Sequence, residues 1–126
     1  MSKQRLPIPE VEIQRSIVDL LRLLVTVNDF MFFSVPNERL TRAKTPEGNA
    51  RIMGYLMSLG LCPGAADLVI VSNGKVYFIE VKSHTGRLSL HQKKFAQKAT
   101  KCQAPYVVVR SVEDVIKFLK LHEIII

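Results

Sequence analysis

Two carboxylates and a lysine fall within one predicted β-hairpin. The segment DLVIVSNGKVYFIEVK contains two apolar runs separated by Asn73-Gly74, and both of these residues tolerate the positive φ angles of a type I′ turn. Counting outward from that turn places Asp67 directly opposite Glu80, and the alternation of side chains puts Lys82 on the same face. Because opposed residues in a sheet have Cβ atoms about 4.5–5.5 Å apart, like charges there destabilise the pairing. The hairpin therefore needs something that compensates for the two acids.

Two interpretations of this charged group compete. Lys82 could neutralise Glu80 at a solvated sheet edge, since charged side chains mostly lie in water. Alternatively, both acids are buried, because Glu80 lies inside the apolar run VYFIEV, and a divalent cation between them relieves the repulsion. Carboxylate oxygens are suitable ligands for Mg²⁺ and Mn²⁺. The apolar neighbours on both faces favour the metal site.

The composition is that of one folded domain. A chain of 126 residues with 48% apolar residues is long enough for one core and too short to expect two, so we expect a single domain over residues 1–126. No apolar run approaches the roughly 18 residues of a membrane helix, and the first residues, MSKQRLPIPE, do not have the pattern of a signal peptide. These features predict a cytoplasmic protein without a membrane segment.

The net charge favours a polyanionic partner. Eighteen Lys and Arg residues against eleven Asp and Glu residues give a charge of +7, which favours nucleic acid before membrane. The two cysteines, Cys62 and Cys102, lie far apart without metal-ligand spacing. In a cytosolic protein they are predicted to be reduced residues that contribute to packing.

Apolar periodicity and turn signals predict the order of the elements. Residues 10–30 are a predicted helix, and Glu12 lies at the edge of its apolar stripe. The stripe consists of Ile13, Ile17, Leu20, Leu24 and Val27. The following elements are a strand (31–35), a basic loop, a helix from Thr45-Pro46 to about Leu59, the hairpin, a helix beginning at Ser89, a strand (105–110) and a closing helix capped by Ser111. The apolar strand 105–110 is typical of a buried parallel strand. This α-β-α-β-β-α-β-α order predicts an α/β domain on a mixed sheet.

The motifs together resemble a known nuclease family. Asp67, followed by the E-x-K of Glu80 and Lys82 and preceded by Pro63-Gly64, resembles the D…E-x-K signature of the PD-(D/E)XK nuclease superfamily. The longer pattern GLCPGAADLVIV…GKVYFIEVKSHTGRLSLHQKKF…APYVVVRSVEDV resembles the VRR-NUC family.

The resemblance implies a PD-(D/E)XK endonuclease-like fold, in which helices flank a central mixed sheet. It also implies an acidic residue on the first helix, which Glu12 supplies, and a glutamine after the E-x-K strand, which is Gln92. Gln92 has a second interpretation, because SLHQ at residues 89–92 is a good capping box in which Gln92 returns to the Ser89 backbone N–H. The sequence leaves both roles of Gln92 open.

The implied activity is divalent-metal-dependent cleavage of DNA phosphodiester bonds by an endonuclease. Mg²⁺ or Mn²⁺ held by Asp67, Glu80 and the backbone carbonyl of Val81 would activate water and polarise the phosphate. Glu12 would complete that site or hold a second ion through water. Lys82 is expected to orient the nucleophile and to stabilise the pentavalent phosphorus. Because the sequence shows no recognition helix or zinc module, we expect selectivity for DNA structure (branched, flap or junction DNA) rather than for sequence.

Basic residues near the site are expected to contact phosphates, which gives affinity and salt sensitivity without sequence reading. These residues are Arg39, Arg42, Lys44, Arg51, Arg87 and Lys93. A nuclease-fold protein that only binds DNA is the rival hypothesis, and an RNA nuclease is a third.

A homodimer is also expected from the sequence. The isoleucine-rich end EIII and three apolar residues of the first helix outside its main stripe, Leu21, Leu23 and Val25, offer material for an interface. An apolar surface left in water is unfavourable, and a two-fold partner commonly covers it.

Overall fold

The computed structural model describes residues 7–36 and 45–126, which form four helices and four strands. The helices are α1 (Glu10–Leu24), α2 (Pro46–Ser58), α3 (Leu90–Lys101) and α4 (Val112–Leu121). The strands are β1 (Met31–Ser34), β2 (Leu68–Ser72), β3 (Lys75–Val81) and β4 (Tyr106–Val109). The predicted order of elements is confirmed. None of the described helices has the length and apolar character needed to cross a membrane.

The four strands form one mixed sheet in the order β1-β2-β3-β4. The pairs β1-β2 and β2-β3 are antiparallel, whereas β4 runs parallel to β3. The turn between β2 and β3 has positive φ angles at Asn73 (50°) and Gly74 (75°), as a type I′ turn requires. From this turn outward the register ends with Leu68 opposite Ile79. The predicted hairpin and the parallel final strand are both confirmed.

The hydrophobic core lies between one face of the sheet and helices α1 and α4. Alternation along β3 turns Tyr77 and Ile79 toward this core. The two helices contribute Ile17, Leu21, Val115, Phe118 and Leu119. The opposite face carries Phe78, which packs edge-to-face on Phe95 of α3 with ring centroids 4.9 Å apart. Glu80 follows on that second face, so the charged group lies across the sheet from the main core.

The observed end of helix α1 and its buried face differ from the predicted apolar stripe. The helix ends at Leu24, so Val27 lies beyond it and is 80% exposed. Leu21, which was expected outside the stripe, is fully buried. The reason is that Ile13, Ile17 and Leu21 follow one another at intervals of four residues and therefore share one helix face.

Three of the six apolar residues expected at a dimer interface pack within the chain instead. Leu21 is fully buried, and Ile124 and Ile125 at the C-terminal end are 6% and 8% exposed. All three belong to the main core. Leu23 and Ile126 remain on the surface. The structure therefore reduces the support for the predicted homodimer.

The predicted helix caps are present. The Thr45 hydroxyl accepts a hydrogen bond from the Gly48 N–H at 3.0 Å, and the proline at position 46 occupies the start of α2. The Ser111 hydroxyl accepts from the Asp114 N–H at 3.2 Å. Each cap satisfies an N–H group that has no partner inside its own helix.

The prediction for the cysteines is correct in one respect and wrong in another. Cys62 and Cys102 are free thiols, as expected, but both are exposed. They follow the C-terminal ends of α2 and α3, where the chain turns at the surface, so neither is a packing residue.

Candidate active site

Asp67 is held immediately before β2 by two hydrogen bonds. Its backbone carbonyl accepts from the Val35 N–H at 2.9 Å, and its carboxylate Oδ2 accepts from the Val81 N–H at 2.8 Å. The residue is 6% exposed, and the hairpin register continues to place it opposite Glu80. The Val81 side chain lies in the core, and the expected role of the Val81 carbonyl as a metal ligand stays a prediction.

Glu80 is a buried carboxylate with donors at one oxygen. The residue is 1% exposed. Its Oε1 accepts a hydrogen bond from Gln92 Nε2 at 3.0 Å and lies 3.8 Å from Lys82 Nζ. Among the described residues no donor reaches Oε2. Burying a carboxylate oxygen without a donor is costly, so a positive group at Oε2 would stabilise the site.

The pKa of Glu80 is raised from its ordinary value of 4.5 to about 8. Burial is the largest cause, followed by the charge of Asp67 and a hydrogen bond between the two side chains; Lys82 lowers the pKa, and Glu10 raises it. Two ionised carboxylates are both acceptors, so they share a hydrogen bond only when one of them carries a proton. At neutral pH and without a cation, Glu80 therefore holds a proton.

Gln92 forms the capping box of α3 and also reaches the acidic pair. Its Oε1 accepts from the Ser89 N–H at 2.8 Å, and its backbone N–H donates to the Ser89 Oγ at 3.2 Å. Its Nε2 donates to Glu80. The two interpretations that the sequence left open are therefore compatible, because they use opposite ends of one side-chain amide.

Asp67 and Gln92 line one cavity of about 320 Å³, whereas the buried Glu80 is not among its described lining residues. Lys82 lines it and is 8% exposed, while its backbone N–H donates to the Val109 carbonyl at 3.0 Å. The polar residues around the cavity are Glu10, Asp67, Lys82, Arg87, Ser89 and Gln92. Carboxylates, an ammonium group and a guanidinium group therefore surround a single opening, an arrangement suited to an anion that is bound together with a cation.

The donor set fits a small divalent cation. Within residues 7–36 and 45–126, no three His, Cys, Asp or Glu side chains gather into a metal-binding group. Structural Zn²⁺ sites use four protein ligands, whereas Mg²⁺ is commonly held by one or two carboxylates and keeps several waters. The buried pair of Asp67 and Glu80, in which Glu80 Oε2 has no donor among the described residues, thus matches the carboxylate ligands that such a divalent cation uses.

A comparison with protein-family models identifies the family. The model of the VRR-NUC domain matches residues 8–113, which contain both carboxylates, Lys82 and Gln92. The chain belongs to the VRR-NUC family. VRR-NUC domains are PD-(D/E)XK-like nuclease domains, so the fold expected from the resemblance is confirmed and the chain carries a nuclease domain. No curated protein and no solved structure matches the chain.

The first helix of this VRR-NUC domain presents Glu10 to the cavity, and not Glu12 as expected. Glu10 lines the cavity and its charge raises the pKa of Glu80, whereas Glu12 is exposed and is not among the described lining residues. In an α-helix, side chains two positions apart point in directions that differ by about 200° around the helix axis. Glu10 and Glu12 therefore lie on different faces of α1. The sequence does indicate the position of Glu10, because Glu10, Ile13 and Ile17 have the i, i+3, i+7 spacing of residues on one helix face.

The Pro63-Gly64 turn of the VRR-NUC domain packs directly on the first turn of α3. Gly64 has a φ angle of +77°, and a Cβ there would lie 2.3 Å from the backbone carbon of His91 and 2.6 Å from the Gln92 nitrogen. Glycine is therefore required for both the conformation and the close approach. The turn supports the helix end whose glutamine contacts Glu80.

The residues expected to contact DNA are only partly at the cavity. Arg87 lines it. Arg51 on α2 and Lys93 on α3 are exposed and are not among its described lining residues. The other three, Arg39, Arg42 and Lys44, lie outside the described residues.

Tyr106 is a residue near the acidic pair that was not predicted from the sequence. Its hydroxyl is buried and has no hydrogen-bond partner among the described residues. Burial raises the pKa of this hydroxyl above its usual range, and the charges of Glu80 and Asp67 raise it further. The hydroxyl therefore stays protonated beside the acidic pair. Its position follows from the pairing of Tyr106 with Phe78, which only the three-dimensional register of β4 reveals.

Proposed function

We propose that this protein is a Mg²⁺- or Mn²⁺-dependent endonuclease that hydrolyses phosphodiester bonds of DNA, with selectivity for branched, flap or junction structures. The observation that carries the proposal is the buried pair of Asp67 and Glu80, in which Glu80 Oε2 lacks a donor from the described residues. Opposed like charges destabilise a sheet, so the pair does not serve stability. Glu80, whose pKa is raised, instead lies beside Asp67, which lines a cavity, and this placement favours a chemical role.

The two acids would hold the cation. Asp67 Oδ2 is fixed by the Val81 N–H and Glu80 Oε1 by Gln92, which leaves the other oxygen of each carboxylate available as a ligand. When bound, the cation supplies Lewis acidity toward the phosphate and lowers the pKa of water. Glu80 would release its proton on binding, because a ligand carboxylate must be ionised.

Lys82 and Arg87 would act on the phosphate. Lys82 lies beside Glu80 and lines the cavity, so its ammonium group can orient the attacking water and neutralise charge that develops on the phosphate oxygens. Arg87 lines the same cavity, and a guanidinium group can hold a phosphate through two parallel hydrogen bonds.

Two exposed cationic side chains support the proposed selectivity for DNA structure. Arg51 and Lys93 are exposed on α2 and α3, where long cationic side chains can reach a DNA backbone. Phosphate contacts fix the position of a duplex but carry no base sequence. The path of the backbone at a branch would therefore decide which DNA binds.

Cleavage assays test the proposal. The protein is incubated with flapped, four-way-junction and linear duplex DNA of matched sequence, in Mg²⁺, Mn²⁺ or EDTA. We expect metal-dependent cleavage that is faster on the branched substrates. Cleavage in EDTA would contradict the metal site, and equal rates on all three substrates would contradict structural selectivity. Matched RNA substrates separate a DNA nuclease from an RNA nuclease.

A protein that binds DNA without cutting it is the second candidate. The raised pKa of Glu80 favours it, because a protonated Glu80 relieves the repulsion with Asp67 without any cation. Binding of all substrates without cleavage in either metal, together with a melting temperature that does not respond to Mn²⁺, would favour this candidate.

A further inference from the structure

The guanidinium group of Arg110 contacts three carbonyls of one loop. Its Nη1 donates to the carbonyl oxygens of Ser83, His84 and Gly86 at 2.5, 3.3 and 2.8 Å. The backbone N–H of Arg110 donates to Asp114 Oδ2 at 2.9 Å. Arg110 therefore connects the loop that follows β3 to the first turn of α4.

The loop that Arg110 holds, residues 83–86, separates two residues of the cavity. It begins directly after Lys82 and ends directly before Arg87, and both of these side chains line the cavity. The Gly86 N–H donates to the Ser83 carbonyl at 3.1 Å, which closes a turn. A Cβ on Gly86 would lie 3.4 Å from the Lys82 Cδ, so the turn packs on the aliphatic part of Lys82.

We propose that Arg110 is a positioning residue that fixes the loop 83–86 and thereby aims Arg87 at a DNA phosphate. The loop is at the surface, where a backbone without such a donor is mobile. Because Nη1 is engaged by the loop carbonyls, Arg110 acts through Arg87. The inference rests on the proposed function, since it assigns a substrate phosphate to Arg87.

A double-mutant cycle in DNA binding tests this role. Binding of a flapped duplex is measured in EDTA over a series of salt concentrations for the wild type, Arg87→Gln, Arg110→Gln and the double variant. Each phosphate contact contributes about 0.9 to the slope of log K against log salt. We expect each single variant to lose about one contact and to bind up to about tenfold more weakly near 0.1 M salt. The double variant should lose no more than either single variant.

Lys120→Gln is the matched control. It removes one positive charge from the last turn of α4, away from the loop carbonyls, and its salt slope should stay at the wild-type value. Hydrogen exchange of the amides at 83–87 is the second measurement, and it should be faster in Arg110→Gln but not in Lys120→Gln. If Arg110→Gln does not fold, Arg110→Lys keeps the charge on a shorter side chain, and faster loop exchange with a reduced slope is expected there.

Several outcomes would overturn the positioning role. Additive slope losses in the double variant would mean that Arg110 contacts a phosphate itself. An unchanged slope in either single variant, or unchanged loop exchange in the Arg110 variant, would also contradict it. Wild-type protein that binds DNA but cuts none in Mg²⁺ or Mn²⁺ would instead contradict the proposed endonuclease, and the binding cycle would still report on the loop.

Discussion

Gln92 Nε2 donates a hydrogen bond to Glu80 Oε1 at 3.0 Å, while Oε1 of the same amide accepts the Ser89 N–H at 2.8 Å. The first turn of α3 and the acidic pair of the sheet therefore share one side chain. This arrangement orients Glu80, because the bond to Gln92 holds one carboxylate oxygen and leaves the other for a ligand. Comparing substitutions at positions 92 and 89 separates the capping function from the contact with Glu80.

Gln92→Ala is expected to lower the cleavage rate at least tenfold, because Glu80 loses the donor that orients it. It should also cost about 1–2 kcal/mol of stability through the lost cap. Ser89→Ala is the matched control, since it removes the hydroxyl of the capping box at a cost of about 1 kcal/mol and leaves Glu80 untouched. Single-turnover cleavage and urea unfolding measure the two effects. Equal cleavage rates in the two variants would show that the contact between Gln92 and Glu80 is unimportant.

Without a cation, the free energy of unfolding should fall as the pH rises from about 5 to about 8. The pKa of Glu80 is about 8 in the folded chain against an ordinary value of 4.5, so the folded state binds more protons than the unfolded state over this range. This contribution to stability is fully present below pH 4.5 and is lost as the pH rises through 8. Urea unfolding in EDTA should show a decrease of up to a few kcal/mol.

Glu80→Gln tests the origin of that pH dependence. The amide does not titrate and does not repel Asp67, so the variant should be inactive, stable at high pH in EDTA, and nearly independent of pH over the same range. Mn²⁺ should raise the melting temperature of the wild type most strongly at high pH, where the pair is ionised, and should affect the variant much less. A wild-type melting temperature that changes with neither pH nor Mn²⁺ would contradict the assignment of Asp67 and Glu80 as a metal-binding pair.

Removing the charge of Glu10 and removing that of Glu12 should have different effects on the apparent affinity for Mn²⁺. Glu10 lines the cavity and its charge acts on Glu80, so Glu10→Gln should weaken the apparent affinity for Mn²⁺ roughly threefold to tenfold through lost attraction in a partly buried site. Glu12 is exposed on another face of α1, and Glu12→Gln should behave like the wild type. Cleavage rates titrated with Mn²⁺ make the comparison. A larger effect in Glu12→Gln would restore the role predicted for it from the sequence.

The acidic pair could be predicted from the sequence because its geometry is local. Asn73-Gly74 selects the turn, the turn fixes the register, and the register places Asp67 opposite Glu80. The capping of α3 is equally local. The positions of these residues therefore follow from rules that act over a few residues.

The remaining features depend on tertiary structure. The end of α1 at Leu24 breaks an apolar pattern that continues to Val27 in the sequence, and the packing of that helix decides that Glu10 meets Glu80. Arg110 reaches carbonyls that lie 24 to 27 residues earlier in the chain. No local pattern indicates such contacts, because the parallel pairing of β3 and β4 creates them.

Two glycines with positive φ angles offer the last test, since only one of them lies against another part of the chain. Gly60 has φ +104° and a Cβ there would meet nothing within 4 Å, whereas a Cβ on Gly64 (φ +77°) would lie 2.3 Å from the His91 backbone. Gly60→Ala should cost only the backbone strain of about 1–2 kcal/mol. Gly64→Ala should cost at least about 2 kcal/mol more, because the first turn of α3 must move.

The same movement should affect cleavage, since the displaced helix end carries Gln92 away from Glu80. Gly64→Ala, assayed where it is still folded, should therefore cut DNA at least tenfold more slowly, while Gly60→Ala retains the wild-type rate. Urea unfolding and single-turnover cleavage at low temperature measure both effects. Equal stability losses in the two variants, with full activity in both, would show that the Pro63-Gly64 turn does not support the contact between Gln92 and Glu80.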